Sequence, residues 1–228
     1  EMCIRDRKHP LCNISFINSR INLMIRRTFM GISLMSILNL GNSKEISKEN
    51  KASKALVIYF SRNGMNYWHG ETKNLSVGNT ARMAKVIQEA TSADVWEIQP
   101  VHSYPFDYRQ TTAEAQKEQE VDARPEIKLS MPDLAQYDLI FFGHPIWWSE
   151  MPMVARTFLD KADLSGKKIA HFCTHEGSGF GGSESDLKSR QPRAIYLPSL
   201  AIAGTQVDNS TKAIQDWAKK VIKEGESK

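Results

Sequence analysis

The sequence predicts one doubly wound α/β domain, a five-stranded parallel sheet with helices on both faces. Two observations predict it. From Lys54 onward, strand-like and helix-like segments alternate. The strand-like segments "KALVIYF", "YDLIFFG" and "KKIAHFCT" are continuous apolar runs, as expected of parallel strands buried on both faces.

The elements follow in order. "KALVIYF" (54–60) is the first strand, and the polar "SRNGMNYWHGETKNLSVGNT" leaves it as a loop. Met83, Ala84, Ile87 and Ala90 then recur at helical spacing, with Asn79 or Thr80 placed to cap the helix. "DVWEIQP" is a shorter second strand, and "QTTAEAQKEQEVDA" a polar helix on a solvent face. "YDLIFFG" is the third strand. Pro145 and Pro152 bracket the residues that follow it. Proline cannot donate to a sheet ladder, so the strand should end here and Trp147 and Trp148 should sit on a loop. Pro152 opens a helix through "MVARTFLDK"; "KKIAHFCT" is the fourth strand and "ESDLKS" a short helix. In "AIYLPSLAI", the fifth strand, Pro198 marks an irregular or edge position. Asp208 or Asn209 caps a last helix with Ile214, Trp217, Ala218 and Val221 inward.

Charge separates a leader from this domain. The net +4 of the 228 residues is uneven: 1–53 hold nine Lys/Arg against four Asp/Glu, and the remainder 21 against 22. The alkaline balance belongs to the N-terminal segment and gives no sign of a nucleic-acid surface on the domain. Residues 1–53 read as unfolded leader and 54–228 as the domain. Within the leader, Arg26 and Arg27 precede an apolar run from Phe29 to Leu40 and a polar exit. This order places an export signal at 24–43, its "RRTFMG" resembling a twin-arginine signal. The alternative is a basic leader with no address and a cytoplasmic protein. No run approaches the roughly 20 apolar residues of a membrane span. Cys173 is alone in the domain, so neither an intrachain disulfide nor a Cys/His metal spacing is available there.

In such a sheet, ligands bind beyond the carboxyl ends of the strands near the topological switch point. The loop after strand one holds Ser61, Asn63 and Gly78-Asn79-Thr80 at a helix start. Its free amides, dipole and hydroxyls suit an anion. Without the lysine of a phosphate-binding G-x-x-x-x-G-K-[ST] pattern or a nearby metal-binding carboxylate, a lone phosphate monoester fits better than a metal-bound triphosphate. An ordinary capped helix is the plainer alternative. The loop after strand three, "GHPIWWSEMP", offers indoles for stacking on a flat heterocycle; alternatively, the tryptophans pack the core or a dimer contact. After strand four, "THEGSGFGGS" lets a ring approach the backbone. Its G-x-G-x-x-G (Gly177, Gly179, Gly182) follows the wrong strand for a dinucleotide fingerprint, and the next strand ends without the required acid.

Together, "YFSRNG…VGNT", "FFGHPIWWSEMP" and "HFCTHEGSGFGGS" resemble the three flavin-binding loops of the flavodoxin-like family, in the bacterial branch with P-I-W-W and T-H-x-G-S-G loops. The resemblance covers most of 54–225. It implies a 2-1-3-4-5 strand order and noncovalent FMN. By position, Ser61, Asn63, Gly78, Asn79 and Thr80 would hold the phosphate. Pro145, Ile146, Trp147 and Trp148 would border the isoalloxazine, and Thr174, His175, Gly177 and Gly179 would lie along its pyrimidine edge. Two departures stand out. The stretch "GMNYWHGETKNLSV" splits the phosphate loop and brings Tyr67, Trp68 and His69, either a lid or a surface flap. Trp148 stands near where many relatives have a turn glycine, so a positive φ there costs roughly 1 kcal/mol or more.

The chemistry implied is flavin-based electron transfer or oxidoreduction, carried out by an electron carrier or by an NAD(P)H- or quinone-type enzyme with an unknown redox partner. No catalytic side chain and no metal are expected. The other reading is a binding module that keeps this fold and has lost FMN. Cys173 and His175 share a strand face, but a cysteine within "IAHFCT" reads as a small buried residue. His144 reads as the end of its strand, and no G-x-S-x-G elbow or paired carboxylates appear.

Overall fold

The structure is a computed structural model that describes residues 54–128 and 130–227. The leader, with the export signal expected at 24–43, lies outside the described residues. Ala55–Tyr59 forms β1, an inner strand of the sheet. The chain then makes an antiparallel hairpin, β2 (Gly64–Trp68) and β3 (Glu71–Leu75), turning at His69-Gly70 with positive φ at both residues. This hairpin is the stretch expected to split a phosphate loop. Helix α1 (Asn79–Thr91) returns along the sheet to β4 (Asp94–Glu97). The polar helix α2 (Tyr108–Glu120) is capped by Asp107, whose carboxylate accepts the Gln110 amide at 2.9 Å.

Strand β5 (Leu139–Pro145) is buried along its whole length and lies parallel to β1. It continues to Pro145, two residues beyond the apolar run, because there it pairs with a strand of the same direction. Then come α3 (Met153–Lys161), β6 (Lys168–His175) and α4 (Ser183–Arg190). The fifth parallel position is split. β7 (Ile195–Tyr196) and β8 (Leu200–Ala203) each pair with β6, on either side of Leu197-Pro198-Ser199. A proline that cannot donate breaks the ladder where the sequence indicated. The last helix, α5 (Thr211–Glu226), begins after a short 3₁₀ turn at Asp208–Ser210, so neither Asp208 nor Asn209 is its cap.

The sheet order β4-β1-β5-β6-β7 is the 2-1-3-4-5 arrangement expected. Its two faces bury separate cores. On one face Ile58, Ile140 and Phe142 pack with Phe158 of α3 and Leu187 of α4. On the other, Val57, Phe141 and Phe172 pack with Met83 of α1 and Ile214 of α5. Each such side chain contributes about 2 kcal/mol of burial. Gly143 makes room for this packing: a Cβ there would stand 2.0 Å from the Phe172 ring. No described helix is long and apolar enough to cross a membrane.

Candidate functional site

The loops after β1, β5 and β6 meet at the carboxyl end of the sheet. On the β1 side, α1 starts behind Gly78, not behind Asn79 or Thr80, which are its first two helical residues. It has no side-chain cap from Gly78 and no acid in its first turn. Ser61 Oγ accepts the Ala81 amide at 3.1 Å. Asn79 and Thr80 are fully buried. Asn79 Oδ1 accepts from Arg82, whereas its Nδ2 has no partner. Thr80 Oγ1 meets Thr174 Oγ1 at 2.7 Å, tying the first loop to the end of β6.

Asn63 is exposed and, with Ser61 and Gly78, borders a cleft of about 380 Å³. The cleft opens toward β4 and Tyr104 and does not reach the loops after β5 and β6. It therefore meets only the phosphate end of the expected site. The hairpin is anchored on the same side by the buried Arg62. Its Nη2 donates to Pro105 O at 2.6 Å and Phe106 O at 2.8 Å, and its Nη1 donates to Met65 O at 2.8 Å. Trp68 lies between Lys73, with the ammonium 4.2 Å from its ring centre, and Arg82, at 5.9 Å.

After β5, the amide and carbonyl of Trp147 exchange hydrogen bonds with those of Glu150, both at 2.9 Å. Between them Trp148 and Ser149 have φ of 50° and 61°. This is the arrangement of a type I′ turn, built without the glycine or asparagine such turns favour. The indole of Trp147 is 3 % exposed and packs edge-on against Phe60 and Tyr104, with centroids 5.4 and 4.8 Å away. Trp148 donates its Nε1–H to Thr112 O at 3.0 Å. Both indoles are thus held against protein, the core-packing alternative that the sequence had left open. Pro145 and Ile146 are buried beside them, and the Ile146 amide donates to Thr174 O at 2.9 Å.

After β6, Gly177, Gly179 and Gly181 all have positive φ. His175 is half-buried, and burial lowers its pKa. Its Nδ1 accepts the Gly177 amide at 3.0 Å, so in the neutral ring the proton is on Nε2. The Gly182 amide donates to Ser149 O at 2.8 Å, clamping this loop to the type I′ turn. Glu150 adds Arg156 at 2.9 Å, and Arg156 reaches Asp186 on α4 at 2.6 Å.

Reading the sequence missed the roles of four residues in this region. Glu176 Oε1 accepts the Thr205 amide at 2.9 Å, and burial raises its pKa. Gly204 must lack a side chain, because a Cβ would stand 2.2 Å from Asn79 Nδ2 and 2.8 Å from Glu176 Oε1. His144 and His171 form a buried pair with their Nε2 atoms 2.9 Å apart. Only the position of His144, directly before the P-I-W-W loop, pointed to it.

Four buried side-chain nitrogens among the described residues have no partner: Asn79 Nδ2, Arg82 Nε, Trp147 Nε1 and His171 Nδ1. Each belongs to the strand-end loops, to the start of α1, or to the ring directly beneath them. Buried polar atoms are ordinarily satisfied, so these four mark where the described residues leave hydrogen-bonding capacity unused.

A family model described as Flavodoxin matches residues 54–221. Among solved structures, a protein taken to be a flavoprotein from Bacteroides eggerthii is 29 % identical, with a TM-score of 0.59 over 74 % of this chain and 98 % of that one. Its counterpart from Bacteroides uniformis is also 29 % identical, with a TM-score of 0.60 over 74 % and 99 %. A flavoprotein in complex with FMN from Lactobacillus acidophilus, 22 % identical, shares the fold at 0.50 over 69 % and 98 %. A search of curated proteins finds no match.

Proposed function

The chain belongs to the flavodoxin family, and on that premise we propose that it binds FMN noncovalently at the carboxyl ends of β1, β5 and β6 and works as a flavin redox protein. The observation that carries this reading is the start of α1. A helix N-terminus capped by glycine, with no acid in its first turn and a buried amide nitrogen left over beside it, suits a phosphate. Ser61, Asn63, Gly78, Asn79 and Thr80 would hold that phosphate. On one side the ring would border the loop of Pro145, Ile146, Trp147 and Trp148 through its backbone and the part-exposed Trp148, since Ile146 and Trp147 are buried. On the other, Thr174, His175, Gly177 and Gly179 would offer backbone groups and the His175 Nε2–H.

When bound, the flavin supplies the redox chemistry, and the protein's part is to bind, orient and electrostatically tune it. A neutral His175 donating from Nε2 stabilises negative charge at the pyrimidine edge without itself losing a proton. Export of the protein with its cofactor in place, through residues 24–43, belongs to the same proposal. Its support is the Arg26-Arg27 pair ahead of an apolar run.

The deciding experiment is the absorption spectrum of the purified protein, followed by calorimetric titration with FMN. A yellow protein, or micromolar or tighter binding, supports the proposal. A colourless protein that takes up no FMN leaves the alternative, a binding module of this fold without redox activity. Turnover of NAD(P)H with a quinone would then separate an enzyme from a carrier.

A further inference from the structure

The buried imidazoles of His144 and His171 lie directly beneath the two ring-side loops. His144 is fully buried and His171 is 1 % exposed. The hydrogen bonds fix the protons. Pro145 O can only accept, so His144 Nδ1 donates to it at 2.8 Å. A neutral His144 then has a bare Nε2, and His171 Nε2–H donates to it at 2.9 Å. The chain therefore runs from His171 through His144 to the first carbonyl of the P-I-W-W loop. At its other end, His171 packs against Phe180 of the glycine loop, with ring centres 5.1 Å apart. One pair thus touches both loops that face the proposed ring.

The arrangement admits no extra proton. A proton on His144 Nε2 would oppose two donors across 2.9 Å. A proton on His171 Nδ1 would place a cation on a buried nitrogen without an acceptor. The charged groups that act on the pair are Asp186 and Lys188 on α4 and Arg156 on α3. Asp186 is already engaged by Arg156 and Arg190, and the two cations repel a third.

We propose that the neutral His144–His171 pair is the positioning element that sets the two ring-side loops for FMN, and that protonating it opens them. The inference rests on the FMN reading for its ligand, though not for its loop motion. The sign follows from linkage. Burial lowers the pKa of His144 from 6.5 to about 4 and that of His171 well below 6.5. The opened state, where the rings meet water, therefore binds protons first. The closed state is favoured fully above pH 6.5 and loses ground as pH falls toward 4. Each titrating imidazole weakens FMN binding by up to about tenfold per pH unit in that window.

The test compares wild type with His171→Gln, which keeps a donor to His144 but cannot titrate, and His171→Phe, which has no donor. FMN dissociation constants would be measured from pH 7.5 to 4.5. In parallel, hydrogen exchange of the ligand-free protein would follow the amides of Ile146, Trp147, Gly181 and Gly182. His171→Gln should bind FMN within about threefold of wild type at pH 7.5 and show a shallower acid weakening. The phosphate of FMN titrates identically in both, so the difference isolates the imidazole. His171→Phe should bind at least tenfold more weakly at pH 7.5, with faster loop exchange than in His171→Gln.

Two results would overturn the inference: His171→Gln with the wild-type acid slope, or loop exchange in the wild type that does not quicken in acid relative to His171→Gln. If His171→Phe fails to fold, the glutamine variant alone decides. If the wild type binds no FMN, the functional reading fails, and loop exchange still decides whether the pair holds the loops.

Discussion

The two sides of the candidate site are built on opposite principles. At the start of α1, groups are left over: a glycine cap without a side-chain bond, no acid in the first turn and an unpartnered Asn79 Nδ2. At the ring-side loops, the backbone is over-determined. The Gly182 amide holds Ser149 O, Ile146 holds Thr174, Trp147 and Glu150 hold each other, and Glu150 is tied onward through Arg156 to Asp186. The first side has capacity left for the ligand proposed above. The second is shaped before any ligand arrives, at the cost of two left-handed non-glycine residues. Substitutions on the first side should therefore change affinity, and those on the second should change stability.

The largest effect is expected where the two ring-side loops touch. Gly181 has φ 52°, and a Cβ there would stand 2.0 Å from Ser149 O. Both neighbours are backbone, so nothing small can rotate away. Gly181→Ala should destabilise the protein by about 2–4 kcal/mol, through left-handed strain plus overpacking. Urea unfolding would measure it; a change below about 1 kcal/mol would mean that the loops separate freely and the clamp is weak. Next comes Asn79→Asp, which keeps the Oδ1 that Arg82 binds but replaces the unpartnered nitrogen by a charged oxygen. FMN affinity should fall at least tenfold at pH 7, about 1.4 kcal/mol, by repulsion of the phosphate. Thermal stability should move far less. Calorimetry and a melt on the same sample separate the two, and equal losses in both would erase the contrast.

How much of this was legible depended on the range of the interactions. All five helices and the parallel strands follow from local apolar periods and prolines, down to the break at Pro198, whereas the strand order came from the family resemblance. The cap of α1 was misassigned by one or two residues because Gly78, Asn79 and Thr80 all suit a helix start. The inserted stretch reads as polar loop since β3 is almost wholly exposed. Only its pairing with β2 and the His69-Gly70 turn make it a hairpin. The tryptophans were legible as loop residues but not in their direction, which Phe60 and Tyr104 settle from distant parts of the chain. The His144–His171 pair was invisible because its members are 27 residues apart and meet only through β5–β6 register.

A smaller effect probes what supports the ring-side turn from behind. Tyr104, edge-on to Trp147, donates its hydroxyl to Glu118 Oε2 at 2.8 Å. Burial pushes the pKa of Glu118 up from 4.5 to about 7, against the lowering effect of the Tyr104 bond. The folded state then holds more protons than the unfolded one between pH 4.5 and 7, so this carboxyl loses stability as pH rises through that window. Glu118→Gln stays neutral and still accepts from Tyr104. It should be more stable than wild type by about 1 kcal/mol at pH 8, after allowance for solvent screening of a half-buried group. The gap should close as pH falls toward 4.5. Melts at pH 8 and pH 5 suffice, and a gap equal at both would show that the raised carboxyl has no energetic consequence.

The smallest effect tests the strain itself. Ser149 occupies the second central position of the type I′ turn at φ 61°, where an L-residue costs about 1 kcal/mol and glycine almost nothing. Glycine also gives the unfolded chain more freedom, which returns roughly half of that gain. The two terms leave Ser149→Gly about 0.5 kcal/mol more stable than wild type, resolvable in paired urea titrations. The sign matters more than the size. A gain means that the turn keeps its shape against a local preference, because Gly182 and Glu150 hold it from either side. A loss means that serine is itself part of what fixes the turn. The rigidity of the ring-side loops would then come from this residue's own contacts, and the contrast with the α1 side would rest on one side chain instead of on the backbone.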